Sequence, residues 1–333
     1  MISKKPLLKN LQVLIADPDD WVSEALRYNM EQMGFGAIRR VRNGQEALAH
    51  LVSRPAHFVI TEWALPQVDG LSLVQKVRKQ VHGINPAMPI IMLSGRGEKQ
   101  DVLRARDAGI NEFIIKPFTS RAIFQRIERI VEYPRPFIIS PGFNGPDRRF
   151  QSSFSGTDKR QRPPHLIHPT EATRAITAGV ACMLPADYSV RQALGNTPLS
   201  QIITPQVLRE AQAALDKMAG AGSEWVRADL EQLSQTHRWL QNGHDGELLE
   251  RARATALSIK GRAGLAGFPL AGEVARMLYL FLSSHFRPDY SVHLQVMGKH
   301  IDVMKIVFAA ATPFTDHAAA EIVSELQRLA VSA

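Results

Sequence analysis

Short apolar runs rich in β-branched residues alternate with segments of helical periodicity between residues 11 and 133. This alternation is typical of a parallel β-sheet wrapped by helices. The apolar runs predict five strands, at 11–16, 37–41, 57–61, 89–93 and 112–116. The periodic segments between them predict five helices, at 19–33, 44–53, 70–81, 98–108 and 119–132.

The pattern changes twice in the rest of the chain. Residues 134–199 begin with a stretch rich in proline and basic residues, which predicts a linker. Over 200–331, apolar residues recur at helical spacing in successive stripes with short breaks, which predicts an antiparallel helical bundle. Ser223, followed by Glu224, is a candidate helix cap inside this region. We therefore expect an α/β domain at 9–133, a basic linker at 134–199 and a separate all-α bundle at 200–331.

Charged and polar residues follow four of the predicted strands. Ligands of open parallel sheets bind beyond the carboxyl ends of the strands, so these positions are the first place to look for chemistry. The four segments are Asp17-Pro18-Asp19-Asp20, Glu62 with the loop to Pro66-Gln-Val-Asp-Gly70, Ser94-Gly95, and Lys116-Pro-Phe118. In order, spacing and placement they resemble the receiver domain of bacterial two-component response regulators, over roughly residues 9–133. The resemblance implies a flavodoxin-like fold with a five-stranded parallel sheet.

The resemblance also implies a set of functional residues, and this chain departs from it at two of them. A receiver uses an aspartate nucleophile, Mg²⁺ held by that aspartate and an acidic pair, a hydroxyl and a lysine. Ser94, Lys116 and the aromatic Phe113 match the family's positions. Glu62 stands where the nucleophile is expected, and Pro18 replaces one acid of the pair and leaves Asp17. The longer glutamate is better suited to mimic an acyl phosphate than to accept one. We expect the Mg²⁺ site to be degraded and the chain to need no cofactor.

Three interpretations of this site remain open. Glu62, Ser94 and Lys116 could form a purely structural ion pair and hydrogen bond. The Glu62–Lys116 pair could instead lock the domain in one signalling conformation, fixing the face built from 98–108, 112–115 and 119–132. A site that still accepts phosphate is the third interpretation.

A second motif lies in the helical half, from Ala256 to Leu270. It resembles a histidine phosphotransfer domain, whose signature is a histidine three residues before Lys-Gly. Leu257 takes the histidine position, before Lys260 and Gly261. Leucine offers no nucleophile, and the helical periodicity predicts that Leu257 faces outward. Leu257, Lys260 and Gly261 would then form a docking surface without chemistry. The alternative is that Leu257 packs under a neighbouring helix.

The predicted linker contains a short repeat with basic clusters. The unit beginning at Phe143 recurs at Phe154, and its basic residues are Arg148, Arg149, Lys159 and Arg160. These side chains are candidates for binding phosphates of a nucleic acid or a nucleotide. The segment could equally be an arm that folds onto one domain through Phe143 and Phe154, or a solvated linker.

Composition narrows the functional classes. The chain has 333 residues, a net charge of +8 and one cysteine, Cys182. One cysteine excludes an intramolecular disulfide framework and a cysteine-based zinc site, which fits a reducing cytoplasm. No apolar run approaches the ~20 residues that span a bilayer, so we expect no membrane insertion.

The sequence thus predicts an atypical response regulator that is not an enzyme. It would act as a phosphorylation-independent adaptor that docks a histidine kinase, a phosphotransfer protein or another receiver. One alternative is a phosphorelay component that accepts phosphate at a non-standard residue. Another is a regulator that binds nucleic acid or a nucleotide through the basic linker. We do not expect a nucleic-acid partner, because neither a helix-turn-helix pattern nor an ATPase loop follows the first domain.

Overall fold

The computed structural model describes most of the chain. The described residues are 6–79, 84–148, 165–166, 182–185, 189–243, 246–284, 286–288, 290–310 and 314–332. Contacts divide the chain into two compact units, residues 1–214 and 215–333. No helix in the described ranges is long and apolar enough to cross a membrane.

Five parallel strands form the central sheet of the first unit. They are β1 (Gln12–Ala16), β2 (Ala37–Val41), β3 (Phe58–Thr61), β4 (Ile90–Ser94) and β5 (Glu112–Ile115). Their order is β2-β1-β3-β4-β5, and every neighbouring pair is parallel. The predicted flavodoxin-like sheet is confirmed. All residues of β3 and β4 are buried, as expected for inner strands of a sheet covered on both faces.

Helices connect and cover these strands. They are α1 (Pro6–Lys9), α2 (Asp20–Met33), α3 (Gly44–Ser53), α4 (Gly70–Arg78), α5 (Lys99–Ala108) and α6 (Ser120–Glu132). Asp19 caps α2 by accepting from the backbone N–H groups of Trp21 and Val22. Asp69 caps α4 through the N–H of Ser72. These caps satisfy amides that have no partner within the helix, and they fix where the loops after β1 and β3 end.

A second, small sheet follows α6 where the sequence predicted a linker. Its strands are β6 (Phe137–Ser140), β7 (Phe143–Pro146), β8 (His165–Leu166) and β9 (Cys182–Leu184), in the order β7-β6-β9-β8. Phe137, Ile139, Cys182 and Leu184 form its buried core. The linker interpretation is therefore wrong for these strands. The prediction relied on the high content of proline and charged residues. In the structure, alternate residues of β6 are buried, and a turn at Pro141-Gly142 joins β6 to β7.

Arg78, at the end of α4, connects this small sheet to the first one. Its side chain is 1% exposed. The guanidinium donates to the carbonyl oxygens of Gly109, Pro86 and Met88 at 2.8, 2.6 and 2.7 Å, and to Oδ1 of Asn111 at 3.0 Å. It also lies 5.6 Å from the ring centroid of Phe137 in β6. The carbonyl acceptors compensate for burying this cation.

The chain after the small sheet packs back onto the α/β unit. Helices α7 (Ser189–Ala193) and α8 (Leu199–Ile202) meet α6, where Glu132 pairs with Arg191 at 3.5 Å and accepts from the N–H of Leu199 at 2.8 Å. Helix α9 (Pro205–Asn242) then begins against α2, where Nδ2 of the fully buried Asn29 donates to the carbonyl oxygen of Ala211 at 3.0 Å.

The second unit is a separate, mostly helical region. It holds the later part of α9, then α10 (Gly246–Ala263), α11 (Pro269–Ser284), α12 (Ser291–Ala309) and α13 (Asp316–Ser332). The predicted cap at Ser223 is wrong, because Ser223 lies inside α9 and its hydroxyl donates to the carbonyl oxygen of Gly220 at 2.8 Å. Leu215, Gly222 and Val226 are buried at helical spacing, so the apolar stripes before and after Ser223 are in phase and one helix carries both.

Candidate functional site

Four side chains meet at the carboxyl ends of the strands of the main sheet. They come from four different strand ends, as the sequence predicted: Asp17, Glu62, Ser94 and Lys116. Nζ of Lys116 lies 2.6 Å from Oδ2 of Asp17 and 2.7 Å from Oε2 of Glu62. The hydroxyl of Ser94 donates to Oε1 of Glu62. None of the four residues is more than 7% exposed. The site is a buried cation shared by two carboxylates.

Backbone donors hold the remaining carboxylate oxygens. The N–H groups of Trp63 and Ala64 donate to Oε1 of Glu62 at 2.6 and 3.4 Å. The N–H of Asp19 donates to Oδ1 of Asp17 at 2.9 Å. Each oxygen of both carboxylates therefore has a charged or hydrogen-bonding partner. The longer side chain of Glu62 turns back onto the amides of its own loop.

Burial and charge act in opposite directions on the titration of this cluster. Burial raises the pKa of Asp17 to about 6, although Lys116 opposes the shift. Burial alone would lower the pKa of Lys116, but the charges of Asp17 and Glu62 outweigh it, and the pKa of this lysine is raised. Lys116 is therefore a permanent cation in the site.

The other residues of the β1–α2 loop point their oxygens elsewhere. Pro18 is exposed and has no side-chain oxygen. Asp19 is used as the cap of α2, and Asp20 pairs with Arg42 at 2.7 Å. Within the described ranges, no group of three or more His, Cys, Asp or Glu side chains is arranged to hold a metal ion.

Two residues at the mouth of the site were not singled out from the sequence. The guanidinium carbon of Arg96 lies 5.5 Å from the ring centroid of Trp63, which directly follows Glu62. Nε of Arg96 is buried and has no hydrogen-bond partner among the residues that the structure describes. In the sequence, the only indication of this pair is that Trp63 directly follows Glu62 and that Arg96 lies two residues after Ser94.

The β4–α5 loop continues from the site toward a solvent-facing surface. A Cβ added to Gly97 would lie 2.8 Å from Cδ1 of Ile115, so the loop packs closely on β5. Phe113, the predicted aromatic switch residue, is half-buried and packs against the core of the sheet. Beside it, Glu112 is bracketed by Arg126 at 3.2 Å and Arg129 at 3.4 Å. Ile115 itself is 46% exposed.

The structure corrects the predicted docking surface in the helical unit. Leu257 is half-buried rather than outward-facing, and Lys260 and Gly261 are buried. Helix α11 covers this side of α10: a Cβ added to Gly272 would lie 3.4 Å from the carbonyl oxygen of Lys260. Nearby, Nε of Arg253 donates to the carbonyl oxygen of Leu282 in α11 at 2.9 Å. The periodicity of α10 alone did not reveal the helix that packs against it.

Of the four candidate anion-binding residues of the predicted linker, the structure describes one, Arg148. Arg148 is already paired with an acid: its Nη1 lies 3.0 Å from Oδ1 of Asp107 at the end of α5. Its guanidinium carbon also lies 3.6 Å from the ring centroid of Phe143. This part of the repeat is therefore an arm folded onto the α/β unit. Arg149, Phe154, Lys159 and Arg160 lie outside the described residues.

Comparison with known proteins identifies the family of the first domain. Residues 13–128 match the family described as the response regulator receiver domain. The phosphate regulon transcriptional regulatory protein PhoB of Rhizobium meliloti is 28% identical over 160 residues, 48% of this chain and 69% of PhoB. Chemotaxis protein CheY-3 of Vibrio cholerae is 26% identical over 126 residues, 38% of this chain and 95% of CheY-3. The solved receiver domain of NtrX from Brucella abortus shares 26% identity over 37% of this chain and 99% of that domain, with a TM-score of 0.34. Residues 13–128 of this chain thus form a response regulator receiver domain of the two-component systems.

Proposed function

We propose that this receiver domain signals without accepting a phosphoryl group and that the chain works as an adaptor in a two-component pathway. The observation that carries the proposal is the buried Lys116 cation shared by Glu62 and Asp17. When a receiver is phosphorylated, the phosphoryl group adds negative charge at the end of β3. Glu62 supplies a permanent carboxylate at the same position.

The hydrogen bonds and the ion pair of Glu62 support the proposal that it does not accept a phosphoryl group. A nucleophilic carboxylate needs an oxygen free to attack a phosphorus atom. Oε2 of Glu62 pairs with Lys116, and Oε1 accepts from Ser94 and the backbone of Trp63. Attack would require at least one of these interactions to break inside a buried site, where replacement by water is restricted.

The donor set also argues against a resident Mg²⁺. Mg²⁺ requires oxygen ligands in near-octahedral geometry. Pro18 offers no side-chain oxygen, and the oxygens of Asp17 and Glu62 that face the site already neutralise Lys116. The residues present do not fit the ion, so the proposed function includes no metal step and no enzymatic activity.

The same contacts give a route from the site to a docking face. Glu62, Ser94 and Lys116 tie the ends of β3, β4 and β5 together. The β4–α5 loop is packed on Ile115, which lies on the face formed by α5, β5 and α6. We propose that this face is held in one arrangement and binds a histidine kinase, a phosphotransfer protein or another receiver.

We extend the proposal to the helical unit, as a phosphotransfer-like region without a nucleophile. Leu257 stands at the position where the resemblance implies the reactive histidine. Two histidines of this unit are engaged in its interior: Nε2 of His237 lies 2.9 Å from the carbonyl oxygen of Leu294, and Nδ1 of His300 lies 2.8 Å from that of Val296. Any docking here would use the exposed part of Leu257 rather than the buried Lys260 and Gly261.

The test is direct phosphorylation. The full chain is incubated with a small-molecule phosphodonor and Mg²⁺, and its intact mass is measured. A receiver of established phosphorylation, treated in parallel, verifies the donor. We expect no added phosphoryl group on this chain. A stoichiometric mass increase, mapped to any residue, would overturn the adaptor proposal and favour the relay alternative.

A further inference from the structure

Helix α9 exposes two tryptophans on one side of the second unit. Trp225 is 48% exposed and Trp239 is 42% exposed. They are 14 residues apart, which is nearly four complete helical turns, so they lie on the same side of the helix about 21 Å apart. Exposed tryptophans are costly to leave in water and are the residue type most enriched at the energetic centres of interfaces.

An arginine of the neighbouring helix α10 lies over the ring of each tryptophan. The guanidinium carbon of Arg262 lies 5.5 Å from the ring centroid of Trp225, and that of Arg251 lies 5.5 Å from the ring centroid of Trp239. The two ends of the exposed stripe therefore present the same pair of groups. A surface that repeats itself about a midpoint in this way is suited to a twofold partner.

The residues between the tryptophans form a narrow seam. Trp225, Ala228, Gln232, Gln235 and Trp239 follow each other at alternating spacings of three and four residues. Ala228 and Gln232 are exposed and Gln235 is half-buried. This spacing is the pattern by which one helix packs along another, and short or uncharged side chains at the centre let two helices approach.

We infer that this seam binds a second copy of the chain, with the two α9 helices antiparallel and centred on Gln232. In that arrangement each Trp225 faces Trp239 of the second copy. The flanking positions also complement each other, because Glu224 of one helix lies on the same edge of the contact as Arg238 of the other and only two residues, about 3 Å, out of direct register. Both side chains are exposed. Glu231, close to the twofold axis, is balanced by Arg238 of its own helix at 3.1 Å.

The charge of the stripe favours a protein partner over a single-stranded nucleic acid. Tryptophans with arginines could also stack on bases, but such sites lie in positively charged grooves. Here Arg262 pairs with Asp229 at 2.8 Å, and Glu224 and Glu231 offset Arg238 and Arg251. A balanced stripe gives little attraction to phosphates and suits a self-complementary contact. Four half-exposed tryptophans are a small hydrophobic centre, so we expect a dimer of micromolar affinity.

The test is the mass of the full chain in solution, measured by sedimentation velocity over a micromolar concentration range. We expect a concentration-dependent monomer–dimer equilibrium. W225A and W239A should each weaken the dimer at least tenfold. I306A is the matched control, because Ile306 on α12 is 60% exposed and lies outside the stripe; its dimer should be unchanged. Far-ultraviolet circular dichroism and a thermal melt check that each variant is folded.

Charge reversal gives a second, independent arm. E224R and R238E should each weaken the dimer, because each places like charges opposite one another. The double variant E224R/R238E should recover part of the lost affinity, because it restores the pair between the two helices but leaves Glu231 without the cation of its own helix. A monomer at every concentration, a dimer that tolerates both tryptophan substitutions, or a double variant as weak as the single variants would overturn the inference. A monomer that binds single-stranded oligonucleotides through the two tryptophans would replace it with the nucleic-acid interpretation.

Discussion

The ammonium group of Lys116 lies 2.7 Å from Oε2 of Glu62, and the two side chains are only 6% and 9% exposed. The same ammonium also neutralises Asp17. One buried positive charge is thus shared by two buried carboxylates. The cluster depends on Lys116 more than on either acid, because losing one acid still leaves a balanced pair.

Replacement of Lys116 by methionine should therefore be strongly destabilising. Methionine keeps much of the volume but leaves Asp17 and Glu62 facing each other without a cation. Removing one member of a buried ion pair typically costs about 3–5 kcal/mol. Urea unfolding of K116M would measure the loss. Lys99 is exposed at the start of α5, and K99M should cost less than about 0.5 kcal/mol. Equal stability of the two variants would contradict the structural role of Lys116.

Glu62→Gln should separate the charge of Glu62 from its hydrogen bonds. The amide oxygen of glutamine can still accept from Ser94 and Trp63, and Lys116 keeps Asp17 as a partner. We expect a stability change within about 1 kcal/mol, but faster amide hydrogen exchange in the β4–α5 loop and β5, because the tie between β3 and β5 is weakened. The variant should also change the affinity for a two-component partner recovered by pull-down. Unchanged exchange and affinity would leave the ion pair with a purely structural role.

The raised pKa of Asp17 predicts how stability depends on pH. The pKa rises from 3.8 for the ordinary side chain to about 6 in the folded protein. Between these values the folded state binds more protons than the unfolded state, so the contribution of Asp17 is present below pH 4 and is lost as the pH rises through 6. Relative to D17N, which cannot titrate, the wild-type chain should lose roughly 2–3 kcal/mol between pH 4 and 7. Chemical denaturation of both proteins at each pH gives this difference. A difference that grows with pH would contradict the assignment.

Arg78→Met should loosen the small sheet more than the main one. The substitution leaves the carbonyl oxygens of Gly109, Pro86 and Met88 without their donor and removes the contact with Phe137. We expect a loss on the order of 3 kcal/mol and faster hydrogen exchange in β6 and β7. The exposed Arg104 of α5 provides the control, and R104M should change neither quantity. Protection of β6 equal to that of the wild type would show that Arg78 does not hold the small sheet.

The main sheet and its site were largely predictable from the sequence. Buried parallel strands are continuous apolar runs, and the observed bounds of β1 to β5 lie within about one residue of the predicted ones. Strand order then brought Glu62 and Lys116 into proximity. The sharing of Lys116 with Asp17 depends on how far each side chain reaches, and this is not encoded in spacing.

The remaining differences arise from contacts between segments distant in sequence. Arg78 binds backbone carbonyls, which carry no residue-specific signal, so its burial was not foreseen. Lys260 has the spacing of an exposed residue but is buried, and α11 closely approaches its backbone carbonyl. The strands of the small sheet are too short to outweigh the surrounding proline and charge in a compositional analysis. In each of these cases tertiary packing overrode a local pattern.

The stacking of Phe137 on Arg78 has a practical consequence for dividing the molecule. The match to the receiver-domain family ends at residue 128. A fragment cut just after α6 would uncover a buried guanidinium and the apolar surface around Ala87 that the hairpin normally shields. Expression of the first domain alone is therefore best designed to retain the hairpin through Arg148, because the packing of this domain continues past the last residue of the family match.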